Sequence, residues 1–219
     1  MNRLAIVEHI ESLGIVPIIR APTVELAARA ARAVHAGGID VLEITMTVPN
    51  ALSLMRLLSS ELGEDVLLGA GTVLDAETAR ACIDAGAHFI VSPGLDIETI
   101  QAAHSLDKAV MPGVLTPTEV ITAFKAGADM AKVFPCSALG GPSYLRALRA
   151  PLPQVKLFPT GGVDLNTAPE FIAAGATALG VGAALIDLKL MEQQGAGAIT
   201  ERAIKLVEIV RKARAALSK

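Results

Sequence analysis

The strongest constraint on this fold is a unit that recurs along the chain: a short apolar run, a segment of helical period, then a glycine turn. Eight apolar runs read as buried strands: IVPIIR (15–20), VLEITM (41–46), LLGAGT (67–72), FIVSPG (89–94), AVMPGV (109–114), MAKVFP (130–135), KLFPTGG (156–162) and ALGVGAAL (178–185). Runs of this length, rich in Val and Ile and bounded by Gly and Pro, suit strands covered on both faces. The segments between them carry helix signals. Thr23 caps one helix with Glu25 in its first turn, another begins near Pro49, and Asp75 caps a third. Further helices are expected near 96–106, 117–126, 142–149, 166–174 and 198–216. Several end in Ala-Gly-Ala or Ala-Gly-Gly, the short turn that returns a helix to the next strand. An extra helix over residues 3–13, ended by Gly14, precedes the first strand.

Sharing 219 residues among eight units leaves about 27 each, which predicts a single α/β domain over 1–219: a (β/α)8 TIM barrel with an additional N-terminal helix. A doubly wound open sheet is the competing architecture, but the regular units and the lack of a charged edge strand favour closure. The net charge of −3 offers no basic field for nucleic acid, and 3% aromatics without Trp leave little to stack bases on. No apolar run approaches the length of a membrane span, so no membrane partner is expected. Two cysteines make no disulfide framework, and the cytoplasm is the expected location.

Barrel chemistry sits where strands end. Here the ends read IIR, ITMT, AGT, SPG, MPG, VFP, PTGG and GVG. Only three charges fall in strand positions near that rim: Arg20, Glu43 and Lys132. A lysine inside an apolar strand must pair or shed its proton, and a neutral amine is a nucleophile toward ketones. Glu43 and Lys132 could instead form a buried ion pair that holds register. Their convergence with Arg20 and a phosphate cradle favours catalysis. In that scheme Lys132 attacks a substrate ketone and Glu43 moves protons. Arg20 holds a carboxylate, and Val133, Phe134 and Met111 desolvate the amine. Thr72 and Thr160 offer hydroxyls. Backbone N–H groups of Thr160-Gly161-Gly162 and Gly180-Val181-Gly182-Ala183, with a helix N-terminus behind them, suit a phosphate. No metal or cofactor is required. His9, His35, His88 and His104 lie away from the rim, and Cys136 has no histidine to activate it.

The motifs LEITMTVPNA, GAGTVLD, FIVSPG, MPGVLTPTE, KVFP and PTGGV, in this order, resemble the 2-dehydro-3-deoxy-6-phosphogluconate (KDPG) aldolases, class I enzymes of the Entner–Doudoroff pathway. The resemblance spans nearly the whole chain. It implies Lys132 as the Schiff-base lysine and Glu43 as acid and base. It also implies Thr72, Pro93 and Phe134 around the pyruvyl group, and Gly161, Gly162, Gly182 and Ala183 at the phosphate. The implied substrate is a phosphorylated 2-keto acid, the product pyruvate, and the assembly a homotrimer. Two positions depart from the pattern. Thr47 stands, among the substrate-binding positions, where some members carry arginine, which leaves Arg20 as the strand-end cation. Ala183 replaces a serine, which removes one phosphate-facing hydroxyl. Galactonate-type and 4-hydroxy-2-oxoglutarate aldolases are the nearest alternatives, and Thr160 favours the gluconate epimer. A phosphosugar isomerase or epimerase using Glu43 as base, and a non-catalytic sugar-phosphate binder, are the more distant ones.

Overall fold

The computed structural model describes residues 1–63 and 66–217. The molecule is an α/β fold of parallel strands and surrounding helices. In chain order the strands are β1 (Ile15–Ile19), β2 (Val41–Thr45), β3 (Leu67–Gly71), β4 (Phe89–Val91), β5 (Ala109–Met111), β6 (Gly113–Val114), β7 (Ala131–Val133), β8 (Leu157–Pro159) and β9 (Leu179–Val181). They form a six-stranded sheet, β5-β4-β3-β2-β1-β9, and a three-stranded sheet, β6-β7-β8, with every pairing parallel.

Nine strands appear among the described residues where eight apolar runs were expected, because the fifth run is divided at Pro112. Proline has no N–H to give to a ladder. Its carbonyl still accepts from Lys132 N–H at 2.9 Å, so the run passes from β4 on one side to β7 on the other. At the opposite margin an isolated parallel bridge joins Thr160, just beyond β8, to Gly180 of β9.

The helices are α1 (Arg3–Leu13), α2 (Val24–Ala36), α3 (Ala51–Leu62), α4 (Ala76–Asp84), α5 (Ile97–Ser105), α6 (Pro117–Lys125), α7 (Pro142–Arg149), α8 (Ala168–Ala173), α9 (Leu188–Gln194) and α10 (Gly197–Leu217). Thr23 and Asp75 cap α2 and α4 as expected, accepting from Leu26 N–H and Thr78 N–H. The Ala-Gly turns work through left-handed backbone at their glycines, with φ of 86° at Gly38, 106° at Gly86, 91° at Gly127 and 93° at Gly175. α3 starts later than Pro49 suggested, since Asn50 sits at φ 52° ahead of it. α9 was not foreseen: seven residues capped by Asp187 leave too short a periodic pattern to read.

Strand alternation sorts the apolar residues into two cores. Leu42, Ile44, Ala131 and Val133 face outward into the layer packed by helices. Val16, Val41, Leu67, Phe89, Met111, Met130 and Phe158 face inward, joined by Ile6, Val7 and Ile10 of α1. α1 therefore closes the end at which the strands begin, and the opposite end is open. Glu43 and Lys132 occupy the inward phase of β2 and β7. No helix among the described residues is long and apolar enough to cross a membrane.

Candidate active site

The strand ends enclose a cavity of about 950 Å³. Eleven of the twelve expected site residues line it: Arg20, Glu43, Thr72, Pro93, Lys132, Phe134, Thr160, Gly161, Gly162, Gly182 and Ala183. Thr47 is not among the lining residues. Its exposed side chain shares a 2.8 Å hydrogen bond with Thr45 Oγ1, which also donates to Ile19 O.

At the base of the cavity, Lys132 Nζ lies 3.8 Å from Glu43 Oε1. The two residues come from different sheets and meet across the interior. Lys132 is 5% exposed and Glu43 fully buried. A separation of 3.8 Å is an ion-pair distance, too long for a hydrogen bond. Accordingly neither Glu43 oxygen has a hydrogen-bond partner among the described residues. Burial pushes the Glu43 carboxyl above the ordinary carboxylate range, and the charges of Lys132 and Arg20 only partly oppose it. A carboxyl so placed can exchange a proton with a reacting group, and the ammonium or amine beside it can meet a carbonyl carbon.

The walls differ from the expected set in one respect. Val133 points outward into the helix-packed layer, so it does not desolvate the amine. Successive strand residues face opposite ways, and the neighbour of an inward lysine must face out. Met111 is on the inner face, and the Phe134 ring centroid lies 5.5 Å from Lys132 Nζ. The Phe134–Pro135 peptide bond is cis. Thr72, a non-glycine residue at φ 59°, holds left-handed backbone at the cavity wall. Such strain costs on the order of 1–3 kcal/mol and collects at functional sites.

One side of the cavity carries the exposed guanidinium of Arg20. Another is made of the loops after β8 and β9. Gly161 and Gly162 hold φ of 93° and 77°, which turns the backbone sharply. The N–H groups of Gly162, Ala183 and Ala184 meet no acceptor among the described residues. A helix follows each of the two loops. α8 and α9 are six and seven residues long and start at Ala168 and Leu188, beyond both loops. The loop amides and the start of α9, whose Leu188 and Lys189 line the cavity, are the donors that this end can offer an anion. Sequence reasoning missed Lys189, which α9 brings to the cavity wall, and the lining carboxylates Asp164 and Asp187. Both carboxylates are engaged locally: Asp164 accepts from Asn166 and Thr167 N–H, and Asp187 caps α9 and pairs with Arg202 at 3.8 Å.

The histidines lie elsewhere, with His9 against Asp40 at 3.0 Å and His104 against Asp129 at 3.2 Å. Burial pushes the thiols of Cys82 and Cys136 up to about 12 and about 11, away from thiolate chemistry.

A family model described as KDPG and KHG aldolase matches residues 6–202. The chain is 38% identical over 172 residues to a 2-dehydro-3-deoxy-phosphogluconate aldolase of Treponema pallidum, covering 78% of this chain and 80% of that protein. It is 36% identical over 174 residues to the 2-dehydro-3-deoxy-6-phosphogalactonate aldolase of Escherichia coli, covering 79% and 84%. Its fold matches the crystal structure of a KDPG aldolase from Legionella pneumophila with pyruvate captured as a covalent carbinolamine intermediate. The TM-score is 0.81 at 31% identity, over 88% of this chain and 93% of that one.

Proposed function

The chain belongs to the KDPG and KHG aldolase family, and on that premise we propose that it is a class I, Schiff-base aldolase. Its substrate on this reading is 2-dehydro-3-deoxy-6-phosphogluconate, cleaved to pyruvate and D-glyceraldehyde 3-phosphate. The observation that carries the reading is the pair of Lys132 Nζ and Glu43 Oε1, 3.8 Å apart, inside a cavity with Arg20 and the loop amides as separate anion-binding features.

In the reaction, Lys132 Nζ adds to the C2 ketone, and the carbinolamine loses water to give an iminium. Glu43 takes the proton of the C4 hydroxyl, the C3–C4 bond breaks, and its electrons pass into the iminium as an enamine. The aldehyde leaves, C3 takes a proton, and water hydrolyses the iminium to release pyruvate and the free amine. Arg20 holds the substrate carboxylate. Thr72, Pro93 and Phe134 surround the pyruvyl group, and Gly161, Gly162, Gly182 and Ala183 hold the phosphate. The buried Thr160 hydroxyl has no partner among the described residues, which supports a bond to a substrate hydroxyl and the choice of the gluconate epimer.

A second reading rests on Ala183, which has no hydroxyl to offer a phosphate, and on the likeness to a galactonate-type relative. It assigns 4-hydroxy-2-oxoglutarate or the galactonate epimer as substrate. A pyruvate-release assay across the three compounds separates the readings, and equal rates on the two epimers would refute the role given to Thr160. The class I mechanism has its own test. Borohydride reduction in the presence of pyruvate should add the pyruvyl mass to Lys132, and an unmodified Lys132 in an active enzyme would sink it.

The sheets are read as one closed (β/α)8 barrel in a single domain over 1–219. The handover at Pro112, the bridge at Thr160 and the Lys132–Glu43 pair across the interior all support closure. The enzyme is inferred to work in the cytoplasm, in line with two free, buried thiols. It is inferred to assemble as a homotrimer, for which the exposed Ile121 and Phe124 on α6 offer apolar surface.

A further inference from the structure

We propose that Gly71 is a positioning residue: it leaves the space that aims the Glu43 carboxyl at Lys132. The inference rests on the reading of Glu43 as the proton-transferring group. β2 and β3 are paired in parallel with Glu43 opposite Gly69 and Thr45 opposite Gly71, so the Glu43 side chain leans along the strands toward Gly71. A methyl group on Gly71 would overlap Glu43 Oε1, and would lie 2.6 Å from its Cδ and 2.7 Å from its Cγ. The three nearest atoms to that position are thus all from one side chain, and they are its functional end.

The Gly71 backbone is not left-handed, so alanine is tolerated there by φ and ψ. Tight turning does not explain the glycine, but the room it leaves for Glu43 does. Among the described residues the carboxyl has no hydrogen bond to fix its direction, only the longer charge contact with Lys132 at 3.8 Å. Its aim therefore depends on shape: the surrounding inner core on one side and the missing Cβ of Gly71 on the other. A carboxyl without hydrogen-bonded partners is free to trade protons, and packing has to hold it at its distance from the lysine.

The test is a double-mutant cycle on turnover. Gly71→Ala should lower kcat by about tenfold to a hundredfold, the usual cost of displacing a reacting group by about 1 Å. Pyruvate trapping on Lys132 should persist, and the limb of the pH–rate profile that Glu43→Gln abolishes should move. Against a Glu43→Gln background, Gly71→Ala should cause no further loss. Gly71→Ala with unchanged kcat, or a loss equally large in both backgrounds, overturns the proposal. Glu43→Gln with wild-type turnover instead overturns the acid–base reading on which it rests. If Gly71→Ala does not fold, the Gly71→Ala/Glu43→Ala variant decides. Recovery of the fold supports the collision with Glu43, and a variant that stays unfolded refutes it.

Discussion

Glu43 is placed where solvation cannot help it, and that sets two measurable properties. Its carboxyl is held above the ordinary range by burial, so the folded protein binds that proton more tightly than the unfolded chain does. The stability linked to it is fully present below the unfolded carboxylate range and is lost as pH rises through the folded value. Glu43→Gln removes this titration. At pH 7 its melting temperature should exceed that of the wild type, at about 2–4 °C for each kcal/mol in a chain of this size. The advantage should vanish as pH falls below the ordinary carboxylate range, and calorimetry across pH 4–8 checks it. Activity should respond oppositely. The variant should lose at least a hundredfold in kcat, on the scale of general acid–base catalysis, yet still trap pyruvate on Lys132.

Among the elements, α6 and α9 show two ways in which a helix start matters. α6 begins with a capping box: Glu119 N–H donates to Thr116 Oγ1, and the Glu119 carboxylate accepts from the backbone N–H of Thr116 and Leu115. Those bonds hold the Glu119 carboxyl below its ordinary range, so their contribution is present at neutral pH and fades as pH falls through the folded value. Thr116→Ala should cost about 1 kcal/mol, read as a lowered melting temperature with kcat unaffected. α9 instead brings a charge to the site. Lys189 is exposed and has no ion-pair partner among the described residues. Lys189→Ala should raise KM for a phosphorylated keto acid about threefold to tenfold, with the effect shrinking at high salt, and leave kcat and pyruvate trapping intact. An unchanged KM would remove Lys189 from substrate binding.

For the whole molecule, the arrangement separates stability from chemistry. α1 packs Ile6, Val7 and Ile10 into the inner core at the end where the strands begin. Lys132 and Glu43 stand at the other end, on short strands whose loops are free to take special backbone conformations. The trimer reading is tested by light scattering, which should return three times the chain mass of 22.6 kDa. A monomer at micromolar concentration would refute it. Ile121→Asp on the exposed apolar face of α6 should lower the assembly state if that face is the contact.

Spacing along the chain already determined the order of the eight strand runs and of most helices, and the rim to which Lys132 and Glu43 belong. These are local properties: period two in a strand, caps at helix starts, and glycine where φ must be positive. Tertiary structure alone decided three matters. The division at Pro112 depends on which neighbour lies on each side of one strand. The outward face of Val133 follows from the inward phase of Lys132, which the packing of the sheets decided. The 3.8 Å gap between Lys132 and Glu43, the room left by Gly71 and the arrival of Lys189 come from residues 89, 28 and 57 positions apart in comparison with their partners Glu43, Glu43 and Lys132. No periodicity encodes such distances, because they are set by how two sheets and their loops pack around a shared interior.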